Sequence, residues 1–367
     1  MPAETGRLVI QRMHDKTMTN QKTISLGLQG GGTYGAFAWG VLDRLLDDGR
    51  FGIEAISAAS AGAINAVALA DGHAHGGGNA GARRSLEQFW RALGQSAIFG
   101  PMRPSPADRM AGRGGIETSP GYMLLQLATA TLSPALLNPL NIHPLSGLLS
   151  SLIDFARVRA SELKLFISAT NVRTGQGHIF RRDELSVAHV MASACLPQVF
   201  APVEIGGEAY WDGSFVGNPP LAPLVDEAAA RDILIVQNNP IARCDLPISM
   251  ADVNNRVNEI AFNISLVREI GALSHVAAVV DEETGAGLHR GPMRLHLVSG
   301  ADVLRDLSIS SKFNTEWAFI EGLHDLGVAA AERWLERDAD RVGMASTLDP
   351  AFIHAPQVAG KGAGQGA

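Results

Sequence analysis

The sequence predicts an α/β protein whose central sheet is covered by helices on both faces. Three observations carry this. Short apolar strands alternate with amphipathic helices along most of the 367 residues. The run Ile-Leu-Ile-Val-Gln at 233–237 is apolar up to its last residue, as a strand buried on both faces requires. The first two strands, 22–28 and 53–58, are bridged by a helix over 35–48, which makes a βαβ unit with a right-handed crossover.

The elements follow in order. Residues 1–21 are polar and mixed in charge, without the apolar core of a signal peptide, and read as a flexible arm. The strand at 22–28 alternates and then turns apolar. The helix at 35–48 gathers Phe37, Val41, Leu42, Leu45 and Leu46 on one face, and Gly49 suits its C-cap. After the second strand comes a helix of small residues at 62–70. Residues 71–83 read as a loop bearing glycine and histidine, 84–93 as a short helix, and 94–115 as irregular chain rich in proline and glycine.

Residues 118–153 carry no Asp, Glu, Lys or Arg and are rich in leucine. Pro134, Pro139 and Pro144 cut them into pieces shorter than the about 20 apolar residues that span a bilayer. They are expected to form helices buried on the sheet, or an apolar mouth or lid that accepts acyl chains. Strands follow at 163–170 and 177–180, a small-residue helix at 187–194, and a hairpin of 200–205 with 208–211 around Gly206-Gly207. A helix at 221–230 precedes the apolar strand. A long helix at 252–280, a late strand at 295–298 and a final helix at 314–337 complete the chain, before a Gly/Ala tail. The expected organisation is an arm (1–21), a catalytic core (22–240) that includes the apolar segment, a C-terminal helical extension packed on it (241–345), and a flexible tail (346–367).

Composition narrows the function. With 46% hydrophobic residues the chain can bury one large core. A formal charge of -7, with scattered basic residues, argues against nucleic acid and against a polybasic membrane anchor. The two cysteines, Cys195 and Cys244, form no C-x-x-C pair, so neither a disulfide framework nor a zinc site is expected. A reducing, cytoplasmic setting fits.

Two short motifs carry the chemistry. Ser60 stands between a strand and a helix in Ala58-Ala59-Ser60-Ala61-Gly62, where small neighbours permit the tight turn of a nucleophile elbow. The helix N-terminus behind it favours negative charge, although a serine there can also be a simple N-cap. Upstream, Gly30-Gly31-Gly32-Thr33-Tyr34-Gly35 can aim backbone amides into a shared cavity. Gly30, Gly31 and Gly32, with the amide of Ala61, are candidates for holding the oxyanion of an attacked ester. Gly30, Gly32 and Gly35 also satisfy G-x-G-x-x-G, a dinucleotide fingerprint. The acid that reading needs at the end of the second strand is absent, and Glu54 sits at the strand's start. No Gly-Lys-Ser/Thr follows, which excludes a Walker A loop.

A serine nucleophile needs a base. Asp212, in Trp211-Asp212-Gly213-Ser214, ends a strand and can project into a cleft, and burial beside Trp211 would raise its pKa to a useful value. As plain sequence, Asp-Gly also reads as an ordinary turn. His289, His296 and His324 follow Asp212 and compete for the role. Of these His289, in a loop, is the best placed.

The ordered set of glycine loop, Ala59-Ser60-Ala61-Gly62 and Asp212-Gly213 resembles the bacterial patatin-like phospholipases. Ser193-Ala194-Cys195-Leu196-Pro197 and Asn218-Pro219 look similar too, and the likeness runs from about residue 24 to 236. The resemblance implies a three-layer α/β/α sandwich with a mainly parallel sheet, and hydrolysis of lipid acyl esters through an acyl-enzyme. It implies a Ser60–Asp212 dyad without histidine, an oxyanion hole at Gly30, Gly31 and Gly32, and no metal or organic cofactor. Ala58, Tyr34 and Ser214 depart from the family, which usually has Gly at the first position, often Arg or Lys at the second, and often Gly or Ala at the third. These departures motivate a second hypothesis, a catalytically weakened member that binds lipid or a partner. The expected partner is a lipid or phospholipid at a membrane or droplet surface, met through the apolar segment rather than through charge.

Overall fold

The computed structural model describes residues 21–96, 102–112, 114–141, 143–243, 246–248, 250–282 and 293–349. The expected arm (but for its last residue), most of the tail, Cys244 and His289 lie outside the described residues. The strands are β1 (Lys22–Leu28), β2 (Phe51–Ala58), β3 (Lys164–Asn171), β4 (Gly177–Arg181), β5 (Val203–Ile205), β6 (Glu208–Asp212), β7 (Asp232–Gln237) and β8 (Arg294–Ser299). They form one sheet in the order β5-β6-β3-β2-β1-β7-β8, with β4 also paired to β3. The pairs from β3 through β8 along this path are parallel. Those made by β4, β5 and β6 are antiparallel.

Every residue of β7 is buried, and the strand shows how two faces are filled. Leu234 and Val236 belong to one apolar cluster, Ile233 and Ile235 to another, the period of two expected of a strand. The first cluster takes in α1 (Gly35–Asp48), α2 (Ala61–Gly72), α3 (Gly78–Gln95), α4 (Val187–Ser193) and, later in the chain, α6 (Trp317–Arg337). The second takes in the helix Ala222–Glu227 and α5 (Met250–Glu282). The result is a three-layer α/β/α sandwich.

Close backbone approach explains several small residues. A Cβ on Gly40 would collide with the His324 carbonyl, and one on Gly327 with the Phe37 carbonyl, so α1 and α6 cross main chain to main chain. α2 is alanine-rich and buried along its whole length; it runs between the sheet and its neighbouring helices. The chain from 241 onward is more than a helical addition, because β8 extends the central sheet beside β7.

Two expectations change. α3 starts at Gly78, after a π-helical turn at His73–Gly77; glycine there lowers helix propensity, and tertiary packing overrides it. The apolar segment forms helices at Pro120–Thr131, Pro134–Leu137 and Pro144–Leu152, each opened by its proline. Among its described residues the buried ones lie at its ends, at Ser119, Tyr122, Leu149 and Ile153. Leu124, Leu127, Leu136 and Leu140 are 66–78% exposed, because the third helix packs on α3 and α4 while the first two reach no comparable surface.

Candidate active site

The topology brings two distant residues together. β3 has two edges. Phe166 and Ile167 pair with both β2 and β4, and Ala169 and Thr170 with both β4 and β6. β4 therefore holds one edge, and β2 and β6 share the other. β2 runs parallel to β3 and ends at Ala58 opposite Ile167; β6 runs antiparallel and ends at Asp212 opposite Ala169. The C-terminal ends of β2 and β6 thus meet head to head, two β3 residues apart, or roughly 7 Å.

Ser60 leaves β2 on a sharp turn. It has φ 52° and ψ −122°, in the left-handed half of the map, a conformation that costs a non-glycine residue about 1–3 kcal/mol. Several contacts enforce it. The Ser60 amide donates to Ser193 Oγ at 2.9 Å, and the Gly62 and Ala63 amides donate to the Ala59 carbonyl. Gly62 lies so near the Leu28 carbonyl that a Cβ would collide with it, which lets α2 start directly beside the end of β1. Ser60 remains 8% exposed.

Asp212 is buried, and its main chain is tied on both sides. Its amide donates to the Cys195 carbonyl at 2.9 Å and its carbonyl accepts from Thr170 Oγ1 at 2.7 Å. The carboxylate accepts the Ser214 amide at 2.8 Å. Burial pushes the carboxyl above its ordinary value. Hydrogen bonds from the Ser214 amide, the Ser60 side chain and the Ser214 side chain draw it partly back. Among the described residues no cation contributes, so the charge is met by hydrogen bonds.

The glycine loop leaves β1 beside both residues. A Cβ on Gly30 would lie 2.6 Å from Ser60 Cβ and 2.8 Å from Ser214 Oγ. The Gly30 amide is engaged, donating to Asn218 Oδ1 at 2.7 Å. Gly31 (φ 147°) and Gly32 (φ 60°) adopt conformations that favour glycine. Among the described residues no acceptor takes the amides of Gly31, Gly32 or Ala61. Three of the four expected amides are therefore unshared, and the fourth serves to seat the loop.

The surrounding shell was largely missed from sequence. Gln29 donates to the Asn218 carbonyl and accepts the amides of Asn238 and Asn239. Asn239 Nδ2 donates to the Gly30 carbonyl at 2.7 Å. Ser193, Cys195 and Asn218 fall in stretches noted only as family-like. Asn239 carried no signal beyond its position at the end of β7. Burial drives the Cys195 thiol up to about 12, so it stays protonated.

Two of the three competing histidines sit elsewhere, and His289 lies outside the described residues. His296 is fully buried with Asp232 and Thr347, and Asp232 opens β7 at the end of the sheet opposite Ser60. His324 lies on α6, beside Asp43 and with its ring tilted at 42° against Trp39. Glu54, the acid a dinucleotide site would borrow, accepts from Lys164 and the Ala229 and Ala230 amides instead. Among the described residues no group of three or more His, Cys, Asp or Glu is arranged to hold a metal ion.

A strand-turn-helix serine at the C-terminal ends of a mainly parallel sheet, under a glycine loop, defines an α/β protein with the layout of a nucleophile elbow. The chain belongs to the patatin-like phospholipase family, whose model matches residues 26–225. Solved structures similar to it include VipD from Legionella pneumophila, at 15% identity and TM-score 0.36, covering 83% of this chain and 67% of that one. Another is full-length ExoU from the type III secretion system of Pseudomonas aeruginosa, in complex with SpcU. It shows 14% identity and TM-score 0.29, covering 86% of this chain and 53%, about half, of that one. No curated protein matches the chain.

Proposed function

We propose that this protein is a serine acyl hydrolase of the phospholipase A or lysophospholipase type, using Ser60 and Asp212 as a dyad without histidine. The observation that carries the reading is the buried Asp212 carboxylate of raised pKa, at the end of β6 that meets the end of β2 leading into Ser60 and under the influence of the Ser60 side chain, next to three unshared amides.

The Asp212 carboxylate takes the Ser60 proton as Oγ bonds to the ester carbonyl carbon. The oxygen that becomes negative is met by the amides of Gly31, Gly32 and Ala61, each such donor being worth about 3 kcal/mol in the transition state. Collapse breaks the bond to the alcohol, which leaves with the proton held by Asp212, and the acyl group stays on Ser60. Asp212 then takes a proton from water. The hydroxide equivalent attacks the acyl-serine, and the fatty acid departs as the proton returns to Oγ. Gly30 contributes absence of bulk, and burial makes Asp212 a better base than a solvated carboxylate.

The exposed leucines between 123 and 140 favour a lipid surface as the source of substrate. Among the described residues no helix is long and apolar enough to cross a membrane, so contact through this face is peripheral.

The reading is tested with a short acyl ester and a fluorophosphonate. Wild type hydrolyses the ester and is labelled at Ser60. Ser60→Ala loses both, and Asp212→Asn loses about 10²–10⁴-fold in kcat. Hydrolysis undiminished by Ser60→Ala would rule the mechanism out.

A further inference from the structure

Lys312 holds an unusual position behind the glycine loop. It is contributed by the 3-10 turn Ile309–Phe313, outside the part of the chain matched by the family model. Its ammonium donates to Asn239 Oδ1 at 2.8 Å, a neutral acceptor, and among the described residues no carboxylate forms an ion pair with it. Glu259 lies close enough to act on its charge, but that carboxylate is bonded to Arg243 at 2.6 Å and Arg256 at 3.2 Å. A desolvated ammonium without an ion-pair partner is costly, so the contact it makes carries weight.

The contact leads to the oxyanion loop. The same Asn239 amide that accepts from Lys312 donates through Nδ2 to the Gly30 carbonyl at 2.7 Å. The Gly30 carbonyl and the Gly31 N–H belong to one planar peptide unit, and the Gly31 N–H is one of the three unshared donors. The sequence is therefore continuous: ammonium, side-chain amide, backbone amide, open N–H. Each hydrogen bond in such a chain polarises the next. The ammonium draws density toward Asn239 Oδ1, Nδ2 becomes a better donor, and the Gly30–Gly31 peptide is polarised so that the Gly31 proton carries more positive charge. The main chain of Lys312 grips the same loop, its carbonyl accepting Thr33 Oγ1 at 2.8 Å.

We propose that Lys312 is a positioning residue for ester hydrolysis, acting through Asn239 to orient the Gly30–Gly31 peptide and strengthen the Gly31 N–H as an oxyanion donor. This rests on the reading of Ser60 as the nucleophile. Burial brings the Lys312 ammonium down to about 8, so the relay loses its charge as pH rises through that value. The other groups facing it keep theirs in this range. Arg243 is held above its ordinary value and Glu259 below. Tyr34, whose ring lies 5.5 Å from the ammonium, is pushed up to about 12. Lys312 is thus the member of the cluster that titrates between pH 7 and 10.

The test uses the full chain and a soluble short acyl ester, with kcat and KM followed from pH 6 to 10 for wild type, Ser60→Ala, Lys312→Met and Lys312→Arg. Loss of a whole oxyanion donor costs about 10²–10³-fold, and weakening one is expected to cost about tenfold. In wild type kcat falls as pH rises through about 8. Lys312→Met lowers kcat about tenfold, leaves KM within about twofold, and abolishes that limb. Lys312→Arg restores most of kcat and moves the limb beyond the range, because a guanidinium stays charged. A folded Lys312→Met with wild-type kcat and an unchanged limb would overturn the proposal. So would a wild-type kcat that is flat from pH 7 to 10, a result that needs no variant to fold. Hydrolysis surviving Ser60→Ala would instead overturn the nucleophile reading, and this proposal with it.

Discussion

Replacing Gly30 with alanine tests whether the glycine loop and the serine elbow form one packed unit. The residue does not have a positive φ, so alanine meets no backbone penalty and the effect is one of space alone. The new Cβ would sit 2.6 Å from Ser60 Cβ, 2.8 Å from Ser214 Oγ and 3.0 Å from the Ala59 carbonyl. Carbon atoms in contact settle at about 3.5–4.0 Å, so the loop and the elbow must part by about 1 Å. Ser60 and Ala59 belong to the anchored elbow, so a single side chain swinging aside does not relieve the overlap. Overpacking of this kind costs about 1–3 kcal/mol in stability. A displacement of about 1 Å at a reacting group costs on the order of 10²-fold in rate. The assay is kcat on a short acyl ester, together with the rate of fluorophosphonate labelling at Ser60 and the melting temperature. Gly147→Ala is the control, since it lies in a helix where an added Cβ meets nothing within 4 Å. Gly30→Ala with wild-type kcat and labelling rate would show that loop and elbow are not coupled, and would undo the packing argument.

Three further outcomes are expected. Ser214→Ala removes a hydrogen bond that lowers the Asp212 pKa; the base must be unprotonated to act, so the acid limb of kcat/KM moves to higher pH, and a limb that stays put would exclude Ser214 from the site. Asp232 accepts from Arg294, His296 and the Gly343 amide, and the hydrogen bonds from His296 and Arg294 hold its carboxyl well below the usual range despite burial. Asp232→Ala is expected to cost about 3 kcal/mol near neutral pH, read by urea unfolding. That stabilisation is fully present above the unfolded carboxylate value of about 3.9 and is lost as pH falls toward the folded one, so wild type and variant should converge in acid. On the exposed apolar face, Leu124→Glu with Leu127→Glu should reduce the fraction bound to liposomes, whereas raising salt should leave wild-type binding intact; binding that collapses in salt would mean that charge holds the protein there.

The parts of the fold set by local chemistry could be read from sequence. β1, the glycine loop, α1, β2, the turn at Ser60 and α2 are consecutive, and each announces itself by period or by small residues. Boundaries drifted where packing outweighs propensity, as at Gly78. The leucines at 124, 127, 136 and 140 go against the reading of helices buried on the sheet and leave the apolar mouth or lid. Apolar composition predicts burial only when a partner surface exists, and the number of helices already covering a face is not written in the segment itself. The long-range contacts were beyond reach. Gly30 offers an amide on paper, and only the arrival of Asn218 shows that it is taken. Lys312 gave no signal, because its meaning depends on Asn239, a residue remote in sequence.

The two buried aspartates show why a base can be a matter of surroundings rather than residue type. Asp212 and Asp232 each stand at an end of a strand of the same sheet, and both are desolvated. Asp232 is met by a guanidinium, an imidazole and an amide, and its carboxyl is held down. It becomes a poor base and a good anchor, closing β7, β8 and the chain near Gly343. Among the described residues Asp212 is met by one amide and two serine side chains and by no cation, and its carboxyl rises. The environments push the two groups apart in opposite directions, the pattern by which acid–base roles are assigned within one protein. Adding a cation beside Asp212 would stabilise its charge and weaken it as a base. The same logic explains why a positive group serving this site acts best from behind the glycine loop, where Lys312 sits, reaching the developing oxyanion through Asn239 and a peptide unit without neutralising the carboxylate that must first accept a proton.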